Sequence, residues 1–261
     1  MRLLNEMEYV SFASGSGGNC ALLRGGGVNL LIDAGISMKR IRQGLRSRGL
    51  DLEDIAAILV THEHTDHVSA LPMLSKYTDI PVRLSAGTAR ALLAEKKCAE
   101  KNLRPLPEDL CLSLGELQIR GVPLSHDAAQ PLGWRIEGEK SAMAVLTDLG
   151  ILSAAVLDAV RGCRFAVVEA NHDVELLRRG PYPPRLKRRI LGERGHLSNE
   201  AGAELALRLA ESGGEEVLLA HLSRENNRPE LALAALRARV GQDLRAAAAP
   251  REGCSGEIKL E

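Results

Sequence analysis

The sequence predicts an α/β protein with four layers, an αββα sandwich in which two β-sheets pack face to face and helices cover the outer faces. Strand-like segments fall into two groups, residues 9–33 and 110–146, and helices follow each group. An apolar sheet face must be buried against another layer, so two such groups favour two packed sheets. The chain has 261 residues, 45% of them hydrophobic, which is enough for one large core. We therefore expect a single domain over residues 1–261, with residues 241–261 as a carboxyl-terminal tail.

The first half of the chain is predicted to open as a β-meander and to continue as alternating strands and helices. Glycine-rich turns separate the first three strands, Ser37 is a candidate helix cap, and short apolar runs mark the later strands. The predicted strands are residues 9–14, 20–24, 28–33, 55–60 and 81–84. The predicted helices are residues 38–48, 67–77 and 88–97.

The second half contains another set of strands joined by glycine turns, followed by further helices. Ser198 or Asn199 can cap one helix, and Pro229 stands in the first turn of another. The predicted strands are residues 110–114, 117–123, 132–137, 142–146, 165–168 and 216–220. The predicted helices are residues 152–160, 199–211 and 229–240. Residues 171–194 are predicted to form an arginine-rich loop, and the last twenty residues a loose tail with one strand.

Composition excludes several classes of protein. Lysine plus arginine and aspartate plus glutamate number 34 each, so no global charge points to a nucleic acid or membrane partner. No apolar run approaches the ~18 residues of a membrane span, and acids stand where a signal peptide needs a basic start. The five cysteines have irregular spacing and predict no disulfide framework. We therefore expect a cytoplasmic protein with reduced thiols.

Metal-ligating residue types crowd into residues 61–67, Thr-His-Glu-His-Thr-Asp-His, directly after an apolar run. Imidazole nitrogens suit zinc, iron and manganese. The spacing of His62 and His64 lets both rings point to the same side of the backbone. Asp66 and His67 come too late to share that first metal easily, and they can bind a second one. The alternative is a polar loop that is rich in histidine without a chemical role.

Further residues of the same types follow other apolar runs. His126, Asp148 and His221 each come after a predicted strand. If these strands share one sheet edge, the side chains converge beyond the carboxyl ends of the strands. Together with residues 61–67 they would complete the ligand sets of two metals. Taken singly, each is an ordinary loop or core residue, and the role of His172 stays open.

Residues 61–67 resemble the HxHxDH signature of the metallo-β-lactamase-fold hydrolases, and the later His, Asp and His occur in that family's order. The resemblance implies the metallo-β-lactamase fold and two divalent metal ions per chain, for which nitrogen and oxygen ligands favour Zn²⁺ or Mn²⁺. It implies that Asp33 supports the histidine loop without binding metal, the alternative being a simple turn residue. The implied ligands are His62, His64 and His126 for the first metal, Asp66, His67 and His221 for the second, and Asp148 as a bridge.

Five further segments extend the resemblance over nearly the whole chain, to the bacterial YycJ/WalJ/VicX group. That group is described as 5′-to-3′ exonucleases on double-stranded DNA, and it is related to the RNase Z and RNase J phosphodiesterases. The resemblance implies that His196 protonates the leaving 3′ oxygen and that Glu169 or Asp173 orients it. A loop histidine next to the following helix is the alternative for His196. The candidate catalytic residues are Asp66, Glu169 and His196. The five segments are residues 14–20, 169–173, 180–183, 195–199 and 221–227.

Two segments are candidates for contact with a polyanionic substrate. The glycine-rich turn 14–19 can present backbone N–H groups and the side chains of Ser14, Ser16 and Asn19 to a phosphate, although a tight hairpin explains it nearly as well. Seven cations lie within residues 178–194, with Glu193 the only acid between them. Such a run suits a nucleic acid backbone, and a solvated helix face is its alternative. The candidates in this run are Arg185, Lys187, Arg188 and Arg189.

The sequence thus predicts a phosphodiesterase that uses two metal ions, and more specifically a 5′-to-3′ exonuclease on double-stranded DNA. Two ions bridged by one aspartate would lower the pKa of a shared water and neutralise phosphate charge. Two alternatives stay open: a hydrolase of a small phosphodiester or thioester, and a metal-binding regulator without significant catalysis. The basic run argues against thioesters, and His196 argues for phosphodiesters. The sequence does not specify an oligomeric state.

Overall fold

The computed structural model describes residues 6–260, which form two seven-stranded mixed sheets packed face to face, with helices on both outer faces. The predicted four-layer αββα arrangement is confirmed. The predicted domain also includes residues 1–5 and 261, which lie outside the described residues. Among residues 6–260, no helix is both long enough and apolar enough to cross a membrane.

Sheet 1 comes from the first half of the chain together with a strand near its end, and sheet 2 comes from the second half. In spatial order, the strands of sheet 1 are β14 (Ile258–Leu260), β1 (Met7–Ala13), β2 (Cys20–Gly25), β3 (Val28–Ile32), β4 (Ala57–Leu59), β5 (Val82–Leu84) and β6 (Leu103–Pro105). Those of sheet 2 are β13 (Arg245–Ala248), β12 (Glu216–Ala220), β11 (Phe165–Glu169), β10 (Ala142–Leu146), β9 (Leu132–Glu137), β8 (Leu117–Pro123) and β7 (Cys111–Leu114). Strands β3 to β6 run parallel, and so do β10 to β13.

The helices form the two outer layers. Sheet 1 is covered by α1 (Met38–Arg46), α2 (Thr65–Val68), α3 (Leu71–Tyr77) and α4 (Ala86–Ala94). Sheet 2 is covered by α5 (Ala154–Ala159), α8 (Asn199–Glu211) and α9 (Pro229–Val240), and the short helices α6 (Val174–Arg179) and α7 (Pro184–Ile190) precede α8. Two 3₁₀ turns lie at Leu52–Asp54 and Glu100–Asn102. Ser37 and Ser198 cap α1 and α8, as their positions before the helices predict.

Side-chain alternation along the strands sorts the apolar residues into three layers. In β1, Val10 and Phe12 face the helices, whereas Met7 and Tyr9 face sheet 2. The middle layer, between the sheets, contains the fully buried Trp134. Because both faces of each sheet are covered, its central strands appear in the sequence as continuous apolar runs rather than as alternating ones.

The prediction of one continuous helix over residues 67–77 is wrong. The structure divides it into α2 and α3. Between them, the Ala34 N–H donates to the His67 carbonyl (2.8 Å), and the Ala70 N–H donates to the Ala34 carbonyl (2.9 Å). The backbone of this turn therefore bonds to the end of β3 instead of continuing the helix.

Two other predictions are also corrected. Residues 171–194 contain helices α6 and α7 instead of a loop, because Asp173 caps α6 and Pro184 occupies the first position of α7. The tail contains two strands where one was expected. Both pair at sheet edges, β13 with β12 and β14 with β1. Strand β6, which the sequence did not predict, is only three residues long and has a single buried residue, Leu103.

Candidate metal centre

The predicted metal ligands converge where strands of both sheets end. Residues 61–67 follow β4 in sheet 1, while His126, Asp148 and His221 follow β8, β10 and β12 in sheet 2. In each of four groups, one potential ligand atom from every member lies within 4.8 Å of the others. The groups are His62, His64 and His126; Asp66, His67 and His221; His62, His67 and Asp148; and Asp148, Glu169, His196 and His221.

Asp148 lies between the two groups of histidines. Its Oδ2 is 3.3 Å from Nε2 of His67, and its Oδ1 is 3.4 Å from Nε2 of His221 and 3.9 Å from Nε2 of His126. The side chain is buried. The carboxylate therefore lies close to histidines of both predicted ligand sets, to His67 and His221 of one and to His126 of the other.

Three strand-end residues of the centre adopt left-handed backbone conformations. The φ angles are 58° for Asp33, 62° for Asp148 and 56° for His221. Residues other than glycine adopt this region uncommonly, at a cost on the order of 1–3 kcal/mol when the surroundings enforce it. The repeated cost indicates that the fold holds these side chains at the sheet edge against local preference.

Hydrogen bonds to Asp33 and Thr61 orient two of the histidines that follow β4. The Asp33 carboxylate accepts from Nδ1 of His67 (2.7 Å) and from the Thr61 hydroxyl (3.0 Å), and the same hydroxyl lies 3.0 Å from Nδ1 of His62. A hydroxyl that donates to Asp33 can only accept from His62. Both rings thus carry hydrogen on Nδ1 and keep the Nε2 lone pair for a metal. Asp33 lies beside the histidine loop, where the resemblance places it.

The histidines of sheet 2 are held in the same way by different acceptors. Nδ1 of His126 donates to the Gly195 carbonyl (3.0 Å), and Nδ1 of His221 donates to Oε1 of Glu169 (3.1 Å). When a metal is bound, each ring would present Nε2 without hydrogen. The Asn171 amide also donates to the backbone carbonyl of His221 (3.0 Å) and fixes the strand end that carries it.

Glu169 also contacts His196, the predicted proton donor. Its Oε1 accepts from Nδ1 of His196 (2.8 Å), and its Oε2 accepts from the backbone N–H groups of Leu149 and Leu197 (3.1 Å each). Of the two carboxylates proposed from the sequence to orient His196, Glu169 touches the ring. Asp173 instead accepts from the Leu176 N–H as the cap of α6.

The buried carboxylates are ionised because cationic groups surround them. Burial alone would raise the pKa of Glu169, but His196 and His221 outweigh burial and hold the pKa at about 2. Burial alone would lower the pKa of His221, but Asp148 and the neighbouring carboxylates raise it to about 10. Buried negative charge of this density needs a positive counter-charge, supplied by protonated imidazole or by a metal cation.

The donor atoms of the centre fit a divalent metal. Nε2 of His62, Nε2 of His221 and Oδ2 of Asp148 are buried and have no hydrogen-bond partner in the described part of the chain. Buried polar atoms normally have partners, so several unpartnered donor atoms at one point fit a bound cation. The set consists of imidazole nitrogens and carboxylate oxygens without thiolate, which suits Zn²⁺ and Mn²⁺ and disfavours a soft metal.

The glycine-rich turn predicted to contact phosphate packs directly against the metal centre. The Ser14 hydroxyl accepts from the His221 N–H (2.8 Å), and the Asn19 amide nitrogen lies 2.9 Å from Nε2 of His67. The Asn19 N–H donates to the Asp66 carbonyl (2.7 Å). Ser14 and Asn19 are buried, whereas Ser16 is exposed. Contact of these residues with phosphate stays a prediction.

Helix α7 presents the basic run beside His126. Arg189 forms an ion pair with Asp127, with Nε 2.5 Å from Oδ2, and Lys187 donates to the Arg178 carbonyl (2.7 Å). Arg185 and Arg188 are exposed, and within residues 6–260 neither forms an ion pair. The basic side chains of α7 therefore differ in whether they are free to bind a ligand. Of the four candidates, Arg185 and Arg188 are the two that are exposed and form no ion pair within residues 6–260.

Three groups at the centre were not predicted from the sequence. Thr61 links Asp33 to His62, the Gly195 carbonyl orients His126, and Arg194 donates to the His126 carbonyl (3.0 Å). The position of Thr61 next to the histidine cluster could have indicated its role. A backbone carbonyl such as that of Gly195 has no signature in the sequence. His172, whose role was open, is buried and belongs to none of the metal-type groups of the described residues.

Comparison with known proteins identifies the family. The beta-lactamase superfamily domain matches residues 28–222. The chain belongs to the beta-lactamase superfamily. Within this superfamily, exodeoxyribonuclease WalJ of Streptococcus pneumoniae is 36% identical over 230 residues, which cover 86% of this chain and 85% of that protein. Exodeoxyribonuclease YycJ of Bacillus anthracis is 34% identical over 234 residues, 87% of this chain and 86% of the relative.

Solved structures of the superfamily agree with the fold. The metallo-beta-lactamase fold protein YhfI from Bacillus subtilis superposes with a TM-score of 0.75, covering 98% of this chain and 100% of that chain at 14% identity. The predicted metallo-β-lactamase fold and the predicted relation to the YycJ/WalJ group are both confirmed. The superfamily and the His/Asp clusters together indicate a divalent metal.

Substitution of Gly35 by alanine tests whether metal binding needs the close approach of Gly35 to the loop that carries Asp66 and His67. A Cβ at Gly35 would lie 1.7 Å from the Asp66 carbonyl oxygen and 2.8 Å from the Asn19 nitrogen. Gly35→Ala must therefore displace the loop that carries Asp66 and His67, and we expect metal affinity to fall by roughly 10- to 100-fold, as when supporting contacts of a metal site are lost. Metal titration of the purified protein measures this.

Gly256→Ala is the matched control, because a Cβ there meets nothing within 4 Å. It should leave metal affinity unchanged. Equal metal affinities of the Gly35→Ala variant and the native protein would show that the loop does not need the close approach at Gly35.

Proposed function

We propose that this chain is an exodeoxyribonuclease that degrades double-stranded DNA in the 5′-to-3′ direction and uses two divalent ions, Zn²⁺ or Mn²⁺. The observation that carries the proposal is the similarity to proteins named exodeoxyribonuclease over most of both chains. The sequence-based prediction of a metal-dependent hydrolase related to exonucleases is confirmed by these relatives, and they imply a nucleic acid substrate. The duplex preference, the polarity, a cytoplasmic location and action as one domain over residues 1–261 belong to the proposal.

The proposed ligand sets follow the grouping of side chains at the centre. His62, His64 and His126 would hold one ion, and Asp66, His67 and His221 the other. The position of Asp148, 3.3 to 3.4 Å from His67 and His221 of the second set and 3.9 Å from His126 of the first, supports its assignment as the bridge. Nδ1 hydrogen bonds that leave Nε2 free support the assignment of His62, His67, His126 and His221.

Bound divalent ions would supply a water of lowered pKa and positive charge next to the phosphate. The remaining task is proton delivery to the leaving 3′ oxygen, and we assign it to His196. Glu169 accepts from Nδ1 of His196 at 2.8 Å, so the ring is held with Nε2 as the atom available to the substrate. Burial alone would lower the pKa of His196, but Glu169 outweighs burial and raises the pKa, which favours the protonated ring that a proton donor requires.

Asp66, the third candidate catalytic residue, lies between the glycine-rich turn and the metal centre. Its Oδ2 is 3.6 Å from Nε2 of both His67 and His221, and its backbone carbonyl accepts from the Asn19 N–H. We assign it to the second ligand set. In that position its charge would also help to polarise the attacking water.

Digestion of an end-labelled duplex tests the proposed function. One DNA duplex labelled separately at its 5′ and 3′ ends should release short products from the 5′ label first, with protein loaded with Mn²⁺ or Zn²⁺. Matched RNA and bis(4-nitrophenyl) phosphate serve as comparison substrates. Early release from the 3′ label would refute the polarity, and turnover of the small phosphodiester alone would refute DNA as the substrate while keeping the hydrolase.

Substitution of Asp148 and of His196 should separate metal binding from proton transfer. Asp148→Ala should lose metal and turnover together, because it removes the carboxylate that lies between both ligand sets. His196→Ala should keep its metal content and lose roughly 10²- to 10⁴-fold in rate, the usual contribution of a positioned acid. Metal counting by mass spectrometry, beside rates on the duplex, measures both. Loss of metal from the His196 variant would instead make His196 a ligand, as its group with Asp148 and His221 allows.

Charge reversal on α7 tests the predicted contact of the basic helix with DNA. Arg185→Glu with Arg188→Glu should weaken binding of a long duplex more than hydrolysis of the small phosphodiester, because both arginines are exposed and form no ion pair with any residue from 6 to 260. Binding should lose roughly one unit of salt slope for each phosphate contact removed. Arg208→Glu, in an ion-paired arginine of α8, is the control. Equal losses on both substrates would exclude α7 as a DNA contact.

A further inference from the structure

A groove separate from the metal centre opens beside the glycine-rich turn. It has a volume of about 380 Å³, and its walls are residues 14–17 of the turn, Leu222, Arg40 of α1, Arg224, Arg251 and Glu252. The volume lies within the range of small-molecule sites. The groove adjoins the metal centre through Ser14, whose hydroxyl accepts from the His221 N–H, and through Leu222, the next residue in the chain.

The groove carries a positive charge that the protein does not neutralise. Three guanidinium groups face one carboxylate, that of Glu252. The side chains of Arg40 and Arg224 form neither ion pairs nor hydrogen bonds among residues 6–260, and Arg251 donates only to the carbonyls of Ser223 (2.9 Å) and Asn227 (3.1 Å). Several other arginines of this chain have acidic partners, as Arg42 has in Asp51. Unpaired guanidinium groups on one groove are typical of an anion site.

The backbone of the turn adds donors to the same groove. Gly15 has a φ of +134° and Gly18 a φ of +138°, conformations that side chains rarely allow. The N–H groups of Ser16 and Gly17 have no acceptor within the described part of the protein, and both residues are exposed. Successive free N–H groups in a glycine-rich turn form a cradle for an anion such as phosphate.

The groove and helix α7 adjoin different histidines of the metal centre. Helix α7 reaches the His126 side through the Arg189–Asp127 pair and the contact of Arg194 with the His126 carbonyl. The groove reaches the His221 side through Ser14. A polyanion whose reacting phosphate lies at the metal centre would thus meet cationic groups in both directions along its backbone.

We propose that this groove binds a phosphate group of the substrate strand, next to the phosphate that is hydrolysed, through Arg40, Arg224 and the turn at residues 14–17. The inference rests on the proposed function and adds a second phosphate site to it. The bound phosphate is either the 5′-terminal one or an internal one of the backbone. Both have the same chemistry, and substrates with different 5′ ends distinguish them.

Substitution of Gly17 tests the proposed phosphate site by adding one negative charge, with an uncharged side chain of the same shape as the control. A Cβ at Gly17 meets nothing within 4 Å, and its φ is outside the left-handed region, so side chains fit there. Gly17→Asp adds a carboxylate to the groove, and Gly17→Asn adds a side chain of the same shape without charge. The Asp variant should bind DNA about tenfold more weakly than the Asn variant at low salt, and the difference should shrink as salt rises.

Removal of the arginines gives an independent measurement. Arg40→Ala with Arg224→Ala should weaken binding by at least about tenfold and lower the salt slope of binding by roughly one unit for each arginine. Arg161→Ala is the matched control, because Arg161 is exposed and precedes the opposite, amino-terminal end of β11. Fluorescence anisotropy with metal-loaded protein and a duplex whose linkages are nuclease-resistant phosphorothioates reports binding without turnover. Melting temperature and metal content of each variant exclude misfolding.

Duplexes with a 5′-phosphate and a 5′-hydroxyl identify which phosphate is bound. If the variants lose affinity for the phosphorylated end only, the groove holds the terminal phosphate, and if both duplexes lose affinity equally, it holds an internal one. Unchanged affinities of the Gly17→Asp variant and the double arginine variant, relative to their controls, would overturn the proposal. Digestion of an unmodified duplex by the native protein tests the proposed function separately, because a protein that degrades DNA and ignores these substitutions keeps the function and loses only the groove.

Discussion

Four histidines of the metal centre share one constraint, a fixed acceptor for the hydrogen on Nδ1. The acceptors are Thr61 for His62, Asp33 for His67, Gly195 for His126 and Glu169 for His221. An imidazole binds metal through a lone pair, so each ring must present a nitrogen without hydrogen, and a bond to the other nitrogen is what secures it. The fold around the centre places these four acceptors beside the histidines that they orient.

Glu169 is the acceptor that orients more than one histidine of the centre. It ends β11 between two ligand-bearing strands, β10 and β12, is fully buried, and bonds to His196, His221 and two backbone N–H groups. One carboxylate thereby sets the orientation of a proposed metal ligand and of the proposed proton donor. Because parallel strands deliver their carboxyl ends to one edge, a residue at the end of the middle strand can reach both neighbours.

The sequence was sufficient to predict the four-layer fold and the side chains that meet at the centre. Both follow from short apolar runs that end in histidine or aspartate, as at His62, Asp148 and His221, since a buried strand and the residue after it are local features. What the sequence did not reveal depends on partners far along the chain. The break between α2 and α3 arises from bonds to Ala34, and the acceptor for His126 is a backbone carbonyl with no side-chain signature. Helices α6 and α7 were not predicted because three prolines within residues 181–184 favour a loop, although Asp173 caps α6 and Pro184 begins α7.

The bond between Ser14 and His221 joins residues 207 positions apart, and it lies at the centre of the molecule's chemistry. The candidate metal ligands are also far apart in sequence, since they come from residues 62–67 beside one sheet and residues 126–221 beside the other. Contacts so distant in sequence form only after long loops have closed, which makes folding slow. During synthesis, the histidine-rich loop after β4 must therefore emerge and wait for most of the chain before it meets the strands that complete it. The candidate metal centre can therefore be completed only after His221 has been synthesised.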